Sequence, residues 1–548
     1  MKFIASRSDG LCSRLGAIFN AMYLAKITNN EFKFFWPKSE NQMSNWEKTR
    51  RGYNFRSIEC DLATSIFSKE FNSNFYLGDT VTIPGLPFGL KIPFQSYKVS
   101  LEDFMSEDLV YISHIPCYNY IENIDKEDYY KNMQLFWKEN IFSSKIEKII
   151  EQATNKAKKL NNFATIHVRV ADVALNEEYK NTGFFVYKFC PLELVAEIVD
   201  EELKNKNNIF LVSDDSDAIR ILKDYYKNNK NSIFLIDEFL SDISLENETQ
   251  RAFFEIALMT CSLKVYTGDS NFSKFASRVG LGKEAIYISE LFSNQQRFEI
   301  IKKNIDKFKL KPLQDAYKFL YLYTRGKLIK KSWSELEQIT KKALELDSDN
   351  HLYRCCILEC LIQQNKLDDA EKLMKLIKDN FYSDFIKDLL HRNNILKESL
   401  SKLLLKIDIR YKNLAFLSLL INQNSDFGAT LRIKNHLAYK LGQVTIKNSK
   451  TIKGYIKLPF MLIKEFMQHK KEQKNYQMMI KINPNLVLPK LQEYSDYKEA
   501  LKIKNYFSYK LGEAIIKANN NWYGGGYIKF IFKDVPRLKS EMKLKERK

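Results

Sequence analysis

The 548-residue sequence predicts an α/β protein: two facing Rossmann-like domains followed by an all-α C-terminal region. Three observations lead there. Strand and helix signals alternate through roughly the first 300 residues, the pattern of a parallel sheet. The alternation falls into two sets that divide near residue 155. Beyond about residue 300 the strand signals stop, while helical spacing continues. A hydrophobic content of 45% with 13% aromatics excludes a mainly disordered chain.

In the first set, "KFIAS" is a short apolar strand and "GLCSRLGAIFNAMYLAKITN" carries apolar residues at helical spacing. "EFKFFWP" reads as a strand stopped by Pro37, residues 38–110 are loop-rich, and "LVYISHI" is a further strand. The amphipathic "SSKIEKIIEQATNKAKKL" leads into the strand "FATIHVRV". The second set then alternates the helix "PLELVAEIVDEELKN", the strand "NIFLVS", the helix "DAIRILKDYYKN" and the strand "SIFLI". It ends with the helix "ETQRAFFEIALMTCS", the strand "LKVYTG" and the helix "NFSKFASRVG".

The resulting division is 1–155, 156–298, a helical region 299–398 and a basic helical region 399–548. In the third segment, "SWSELEQITKKALELDSDNHLYRCCILECLIQQNKLDDAEKLMKLI" resembles about one and a half tetratricopeptide units, fewer than a free-standing array needs. The fourth holds an internal repeat: "LRIKNHLAYKLGQVTIK" (431–447) and "LKIKNYFSYKLGEAIIK" (501–517) share 10 of 17 residues. In it Tyr439 and Tyr509, with Gly442 and Gly512, are expected to fix a helix and its end. Each copy is followed by an apolar-basic stretch, "YIKLPFMLIKEF" and "YIKFIFKDVPRLK".

Charge is uneven. Residues 1–300 hold 36 basic and 41 acidic side chains, whereas residues 301–548 hold 50 and 26. Any basic partner surface therefore belongs to the second half: a solvated lysine-rich face, an anionic membrane face, or nucleic acid, for which no reading motif is present. The eight cysteines form no C-x-x-C pair, and "CCILEC" has no zinc-ligand spacing, so buried thiols are expected. With no secretory h-region and no long apolar run, a cytoplasmic location is expected.

Four stretches can carry chemistry. In "TIHVRVAD", strand alternation sends His167 and Arg169 to one face near the carboxyl end, where open α/β sheets bind ligands. A guanidinium there suits a phosphate; a plain polar strand end with Asp172 opening a turn is the alternative. In "RSDGLCSRLG", Gly10 lets the backbone turn so that helix-start N–H groups face an anion, although an ordinary strand–helix turn reads the same way. "VSDDSDAIRIL" offers Asp215-x-Asp217 as a metal pair, or Ser213 or Asp214 as a helix N-cap. "FFEIALMTCSLKVYTGDSNFSKFASRVG" sets Glu255 in an apolar helix and Ser270 at the start of the next. A buried Glu255 needs a partner, and the N1/N2 edge of guanine supplies two donors.

Taken in their order along the chain, these stretches resemble the fucosyltransferase superfamily, whose α-1,2, α-1,6 and protein O-linked branches share an HxRxGD motif. Here it reads His167-Val-Arg169-Val-Ala171-Asp172, with alanine for glycine. "DGLCSRL" is similar to the family's first glycine loop, with Cys12 where a second glycine is common. The matches span about residues 1–290. The resemblance implies a GT-B-like fold, an inverting reaction and no essential metal or other cofactor. It implies that Gly10, Arg14, His167, Arg169, Asp172, Lys188, Asp214, Glu255, Ser270 and Ser273 bind a GDP-sugar. Arg169 would hold the diphosphate, and Glu177, or its neighbour Glu178, would be the base.

The expected function is therefore transfer of a sugar, most simply fucose, from a GDP-sugar to a glycan acceptor in bacterial surface polysaccharide synthesis. Another GDP-deoxyhexose or a GDP-heptose is the alternative donor. A non-catalytic helical scaffold with a degenerate transferase half is the alternative class, favoured by Cys12 and Ala171. Peripheral docking on the inner face of the cytoplasmic membrane is expected of the basic half.

Overall fold

The computed structural model describes residues 3–37, 50–53, 60–80, 98–106, 109–177, 179–180, 182–391, 394–408, 410–424, 429–449, 451–482, 491–493 and 497–545. The chain divides into two compact units, Met1–Tyr353 and Arg354–Lys548. The boundary expected at 298/299 thus falls inside the first unit.

The first unit contains two wholly parallel sheets. One has the order β3-β2-β1-β4, from Tyr76–Gly78, Phe32–Phe35, Phe3–Ser6 and Val110–Ile112. The other has the order β7-β6-β5-β8-β9, from Ile233–Leu235, Asn208–Ser213, Phe163–Val168, Lys264–Thr267 and Ile286–Tyr287. The central β5 is buried along its whole length, as a strand covered on both faces must be. Its register sets His167 between Val212 and Thr267, and Val168 beside Ser213.

The helices explain why the two sheets share one core. Leu11–Thr28 is buried without a break from Leu11 to Ala25, because Gly16, Ala17 and Ala21 let neighbours approach on every side. Phe19 packs on Phe275 at 5.4 Å, and Trp137 lies across Phe253, so helices from both strand sets interdigitate. The Lys126–Lys138 helix that supplies Trp137 escapes the sequence reading; Asp125 caps it by accepting from Glu127 and Asp128 N–H. Within the loop-rich stretch the described residues hold three short α-helices, Ala63–Ile66, Lys69–Phe75 and Leu101–Phe104, and β3.

After β9 the first unit continues as the helices Asn294–Lys303, Pro312–Leu328 and Trp333–Leu346. The Pro312–Leu328 helix is bonded to the second sheet's surroundings. Lys318 meets Glu193 at 2.9 Å, both nearly fully buried, and Leu313 packs with Ala171 and Leu175.

In the second unit the described elements are helices. Cys355, Cys356 and Cys360 are completely buried thiols, as the apolar reading of "CCILEC" expects. The repeat folds as two helix pairs, Ala429–Lys434 with Leu437–Asn448 and Tyr497–Lys504 with Phe507–Asn520. Gly442 and Gly512 do not end these helices. They lie inside them, at a reciprocal crossing: a Cβ on Gly442 would sit 1.7 Å from the Ser508 carbonyl, and one on Gly512 1.6 Å from that of Ala438. Ala438 and Ser508 occupy equivalent places in the two copies, so each helix offers a small-xxx-small surface to the other. His436 Nδ1 and the Tyr509 hydroxyl, 3.0 Å apart, close one flank.

Either Gly442→Ala or Gly512→Ala forces these helices apart. Each is expected to destabilise the protein by about 1–3 kcal/mol, the usual cost of overpacking, in urea denaturation followed by circular dichroism. The exposed Glu513→Ala is expected to leave the midpoint unchanged.

Candidate functional site

The carboxyl ends of β1, β5 and β8 feed loops that converge within the first unit. Asn271, the first residue of the Asn271–Leu281 helix, donates to Ser13 Oγ in the first turn of the Leu11–Thr28 helix, 2.8 Å away. That bond sets two helix N-termini side by side, where their N–H groups and dipoles favour an anion.

Beyond β5, Arg169 turns onto Asp172 in a fork-to-fork pair, Nε to Oδ1 at 2.8 Å with Nη2 on Oδ2. The turn between them is shaped by Asp214, which follows β6. Its carboxylate accepts the N–H groups of Val170, Ala171 and Asp172 at 2.9, 3.0 and 2.9 Å. Burial and the nearby Asp172 charge push Asp214 up to about 7, against the donors that favour its ionised form. Asp172 moves down: burial opposes the shift, but the charge and bonds of Arg169 outweigh it.

Around this pair stand other charged groups. Lys188 lies over the rings of Phe185 and Tyr187, and burial, then the Arg169 charge, push it down to about 8. The charges of Asp172, Asp269 and Lys274 act on it too. Lys274 bonds Asp269 at 2.6 Å, and Asp269 is held at a φ of 91°, a strained conformation for a non-glycine residue. From the first sheet, Arg7 grips Asp9 through two bonds of 2.9 and 2.6 Å. His114, beyond β4, is pushed down to about 3 by burial, with the charges of Arg7 and Lys274 adding to it. Arg7, Arg169 and Lys274 thus have carboxylates as partners, and Lys188 has the two rings.

The predicted residues divide between these charged groups and their frame. Gly10 has a φ of −57°, which any residue adopts, so glycine is not needed for the turn; a Cβ there would meet nothing within 4 Å. What Gly10 leaves is open space over a helix start. Arg14 serves the frame: it donates to the carbonyls of Asp9, Ser8 and Pro37 and lies over Trp36. Ser273, fully buried, donates to Thr267 Oγ1 at 2.8 Å and approaches His167 Nδ1 at 3.5 Å, so it orients the histidine. Ser270 caps the Asn271–Leu281 helix by accepting from Phe272 N–H, and its own N–H donates to Thr267 Oγ1.

One reading needs correction. The N-cap of the Ser216–Tyr225 helix is Asp215, which accepts from Asp217 N–H, not Ser213 or Asp214. The Asp215-x-Asp217 pair is held by an ammonium: Lys311 Nζ reaches Asp215 at 2.6 Å and Asp217 at 3.3 Å, and Gln314 donates to Asp215. Glu255 is buried, with Arg251 3.5 Å away on the same helix. Glu177 pairs with Lys180 and, at 3.7 Å, with Arg50, while Arg50 itself is buried against Asp347. Glu178 lies outside the described residues. Among the described residues no cluster of potential metal ligands is present.

Sequence reasoning missed Arg7, Asp9, His114, Lys274 and two further residues. Gly268 is required by close approach, since a Cβ there would lie 2.3 Å from Cys190 Sγ and 3.0 Å from the Lys188 carbonyl. Tyr317, on the Pro312–Leu328 helix, is buried with its hydroxyl unbonded and feels the charges of Asp172 and Arg169. The glycine between a strand and a capped helix was a readable signal; Tyr317, over 140 residues from Arg169, gave none.

With this geometry in hand, comparison with known proteins adds the following. Residues 358–543 match a family described as "Domain of unknown function (DUF8374)". No curated protein matches the chain. Among solved structures, the chain is similar to NodZ alpha-1,6-fucosyltransferase soaked with GDP-fucose, at 12% identity and a TM-score of 0.29, over 51% of this chain and 92% of that one. It is also similar to the fucosyltransferase NodZ from Bradyrhizobium, at 13% identity and a TM-score of 0.29, over 50% and 92%.

Asp214→Asn replaces one acceptor oxygen by an amide donor and strands at least one N–H of the 170–172 turn. A loss of about 1–3 kcal/mol is expected in denaturant titration. Because the carboxyl is raised in the folded state, the stability it adds is complete below about 4 and lost as pH rises through about 7. The wild-type advantage over Asp214→Asn is therefore expected to be larger at acid pH.

Proposed function

We propose that the protein is an inverting, metal-independent glycosyltransferase of GT-B-like organisation that moves a sugar from a GDP-sugar to a glycan acceptor. Fucose is the simplest donor sugar, with another GDP-deoxyhexose or a GDP-heptose as the alternative, and surface polysaccharide synthesis in a bacterium is the setting. The observation that carries the reading is the pairing of two helix N-termini through Asn271 and Ser13, with Arg7, Lys188, Arg169 and Lys274 near enough to one another or to His114 for their charges to act. That is an arrangement suited to a diphosphate.

In this reading the diphosphate takes over Arg169 from Asp172, and the guanidinium fork binds two phosphate oxygens. Lys188 and the helix-start N–H groups balance charge that grows as the sugar–phosphate bond breaks. The acceptor oxygen forms its bond to the anomeric carbon opposite the departing diphosphate. Its proton passes to a carboxylate, for which Glu177 is the candidate, and GDP leaves with the bonding pair. His167, set by Ser273, and Glu255 are the candidates for contacts to base and ribose.

Calorimetry with GDP, UDP and CMP nucleotides tests the reading. GDP alone is expected to bind well, and Arg169→Ala to lower its affinity by about 1.5–3 kcal/mol, the worth of charge-assisted bonds, while the melting curve keeps its shape. Unchanged GDP affinity in Arg169→Ala removes Arg169 from the site. Turnover is expected to survive EDTA; loss that manganese restores returns the metal role to Asp215 and Asp217.

Lys188 gives a pH test. It is depressed to about 8, so it is charged below that value and neutral above. GDP affinity is expected to fall between about pH 7 and 9, and Lys188→Met is expected to weaken binding at pH 7 and flatten that fall.

A further inference from the structure

The second unit carries its charge and its apolar surface in an unusual way. Residues 401–548 contain 30 basic and 11 acidic side chains, against an even balance in 354–400. Within this basic region the Ile452–Ile482 helix is turned inside out relative to an ordinary surface helix. Its two acids, Glu465 and Glu472, face the neighbouring Leu437–Asn448 helix, where both meet Lys440 at 3.9 and 3.1 Å. Phe460, Ile463 and Met467, at i, i+3 and i+7, stand outward with 75%, 59% and 67% of their surface exposed. Lys457, Lys464, Lys470 and Lys471 are exposed beside them.

The second copy repeats the arrangement with different residues. In the stretch after the Phe507–Asn520 helix, Phe530, Val535 and Leu538 turn inward onto Leu511 and Ile515. Ile528, Ile531 and Phe532, at i, i+3 and i+4, turn outward, with Phe532 78% exposed, and Lys529 and Lys533 flank them. Tyr523 and Trp522 extend the exposed set. This stretch is apolar on two faces, one of which the core does not use. Leu462 of the first stretch packs on the same small cluster, which also includes Leu441.

Large apolar side chains held outward while acids turn inward are unfavourable in water, and such patches mark an interaction surface. The companions of these residues decide the partner. Lysine stems lie along apolar surface with their ammonium groups at its rim, and aromatics accompany them, as at a lipid headgroup boundary. Among the described residues no helix is long and apolar enough to cross a membrane. We infer that the two duplicated stretches, 457–467 and 522–537, are a peripheral docking surface for an anionic phospholipid bilayer. Phe460, Ile463, Met467, Ile528, Ile531 and Phe532 enter the headgroup region, and the flanking lysines contact lipid phosphates. A neutral surface would lose the roughly 1 kcal/mol that each basic residue near an anionic one contributes.

Vesicle flotation of the full-length protein tests this. It is expected to float with phosphatidylcholine vesicles containing phosphatidylglycerol, to remain below with phosphatidylcholine alone, and to be released by high salt. Phe460→Asp combined with Phe532→Asp, and separately Lys529→Glu combined with Lys533→Glu, are each expected to cut flotation at least about tenfold. Both pairs are exposed, so melting temperature and GDP binding are expected to stay at wild-type values. A full-length protein that does not float with anionic vesicles overturns the proposal, and so do both double variants floating like wild type. Self-association in sedimentation that the Asp pair abolishes, without vesicle binding, overturns it in favour of a second copy as occupant. Salt-sensitive binding of a nucleic-acid oligomer that the Glu pair abolishes, again without vesicle binding, overturns it in favour of nucleic acid.

Discussion

The carboxylate of Asp214 accepts three successive N–H groups from the Val170–Asp172 turn, and the placement of the charged cluster follows from it. The bond set exists because β5 and β6 pair in a register that ends at Val168 and Ser213. The next residue of β6 is then beside the turn that leaves β5. A slip of one residue would move Asp214 away and turn every side chain of β5 over. With the turn fixed, Asp172 is aimed at Arg169, and the Arg169 carbonyl accepts the N–H of Cys190. That bond brings Lys188 alongside, within reach of Gly268.

How much of this was readable depends on the range of the interaction. The strands and most helices of the first unit follow from local periodicity, because a parallel strand and a buried helix each impose a repeat on their own residues. The end of β5 and the start of the Leu11–Thr28 helix were readable for the same reason, since both are local devices. Arg7 and Lys274 were not, since only tertiary folding brings their loops to His114. Arg14 and Ser273 show the converse. Motif position marks them as ligand contacts, yet their donors are committed to carbonyls and to Thr267. Asp215 and Asp217 had the spacing of a cation pair, and a cation does hold them; it is the ammonium of Lys311, 94 residues further on.

In the second unit the repeat was countable, but its meaning was not. Glycine at equivalent positions of two similar helices suggests helix ends when each copy is read alone. Read together, the copies are one another's partners, and each glycine removes the side chain that would block the other backbone. A duplication preserved in this way needs both copies at once. It also explains why the small residues are kept while Arg432 and Lys502, or His436 and Tyr506, have diverged.

The link between Lys318 and Glu193 bears on where the chain can be cut. Strand signals end near residue 290, so a protease site or a stop codon shortly after it looks harmless on paper. Such a cut would take away Lys318, the ammonium that pairs with the buried Glu193, together with the helix that carries it. It would strip Lys311 from Asp215 and Tyr317 from the back of the Arg169 turn as well. The helices that look like the start of an appendage therefore belong to the α/β unit, which runs to Tyr353.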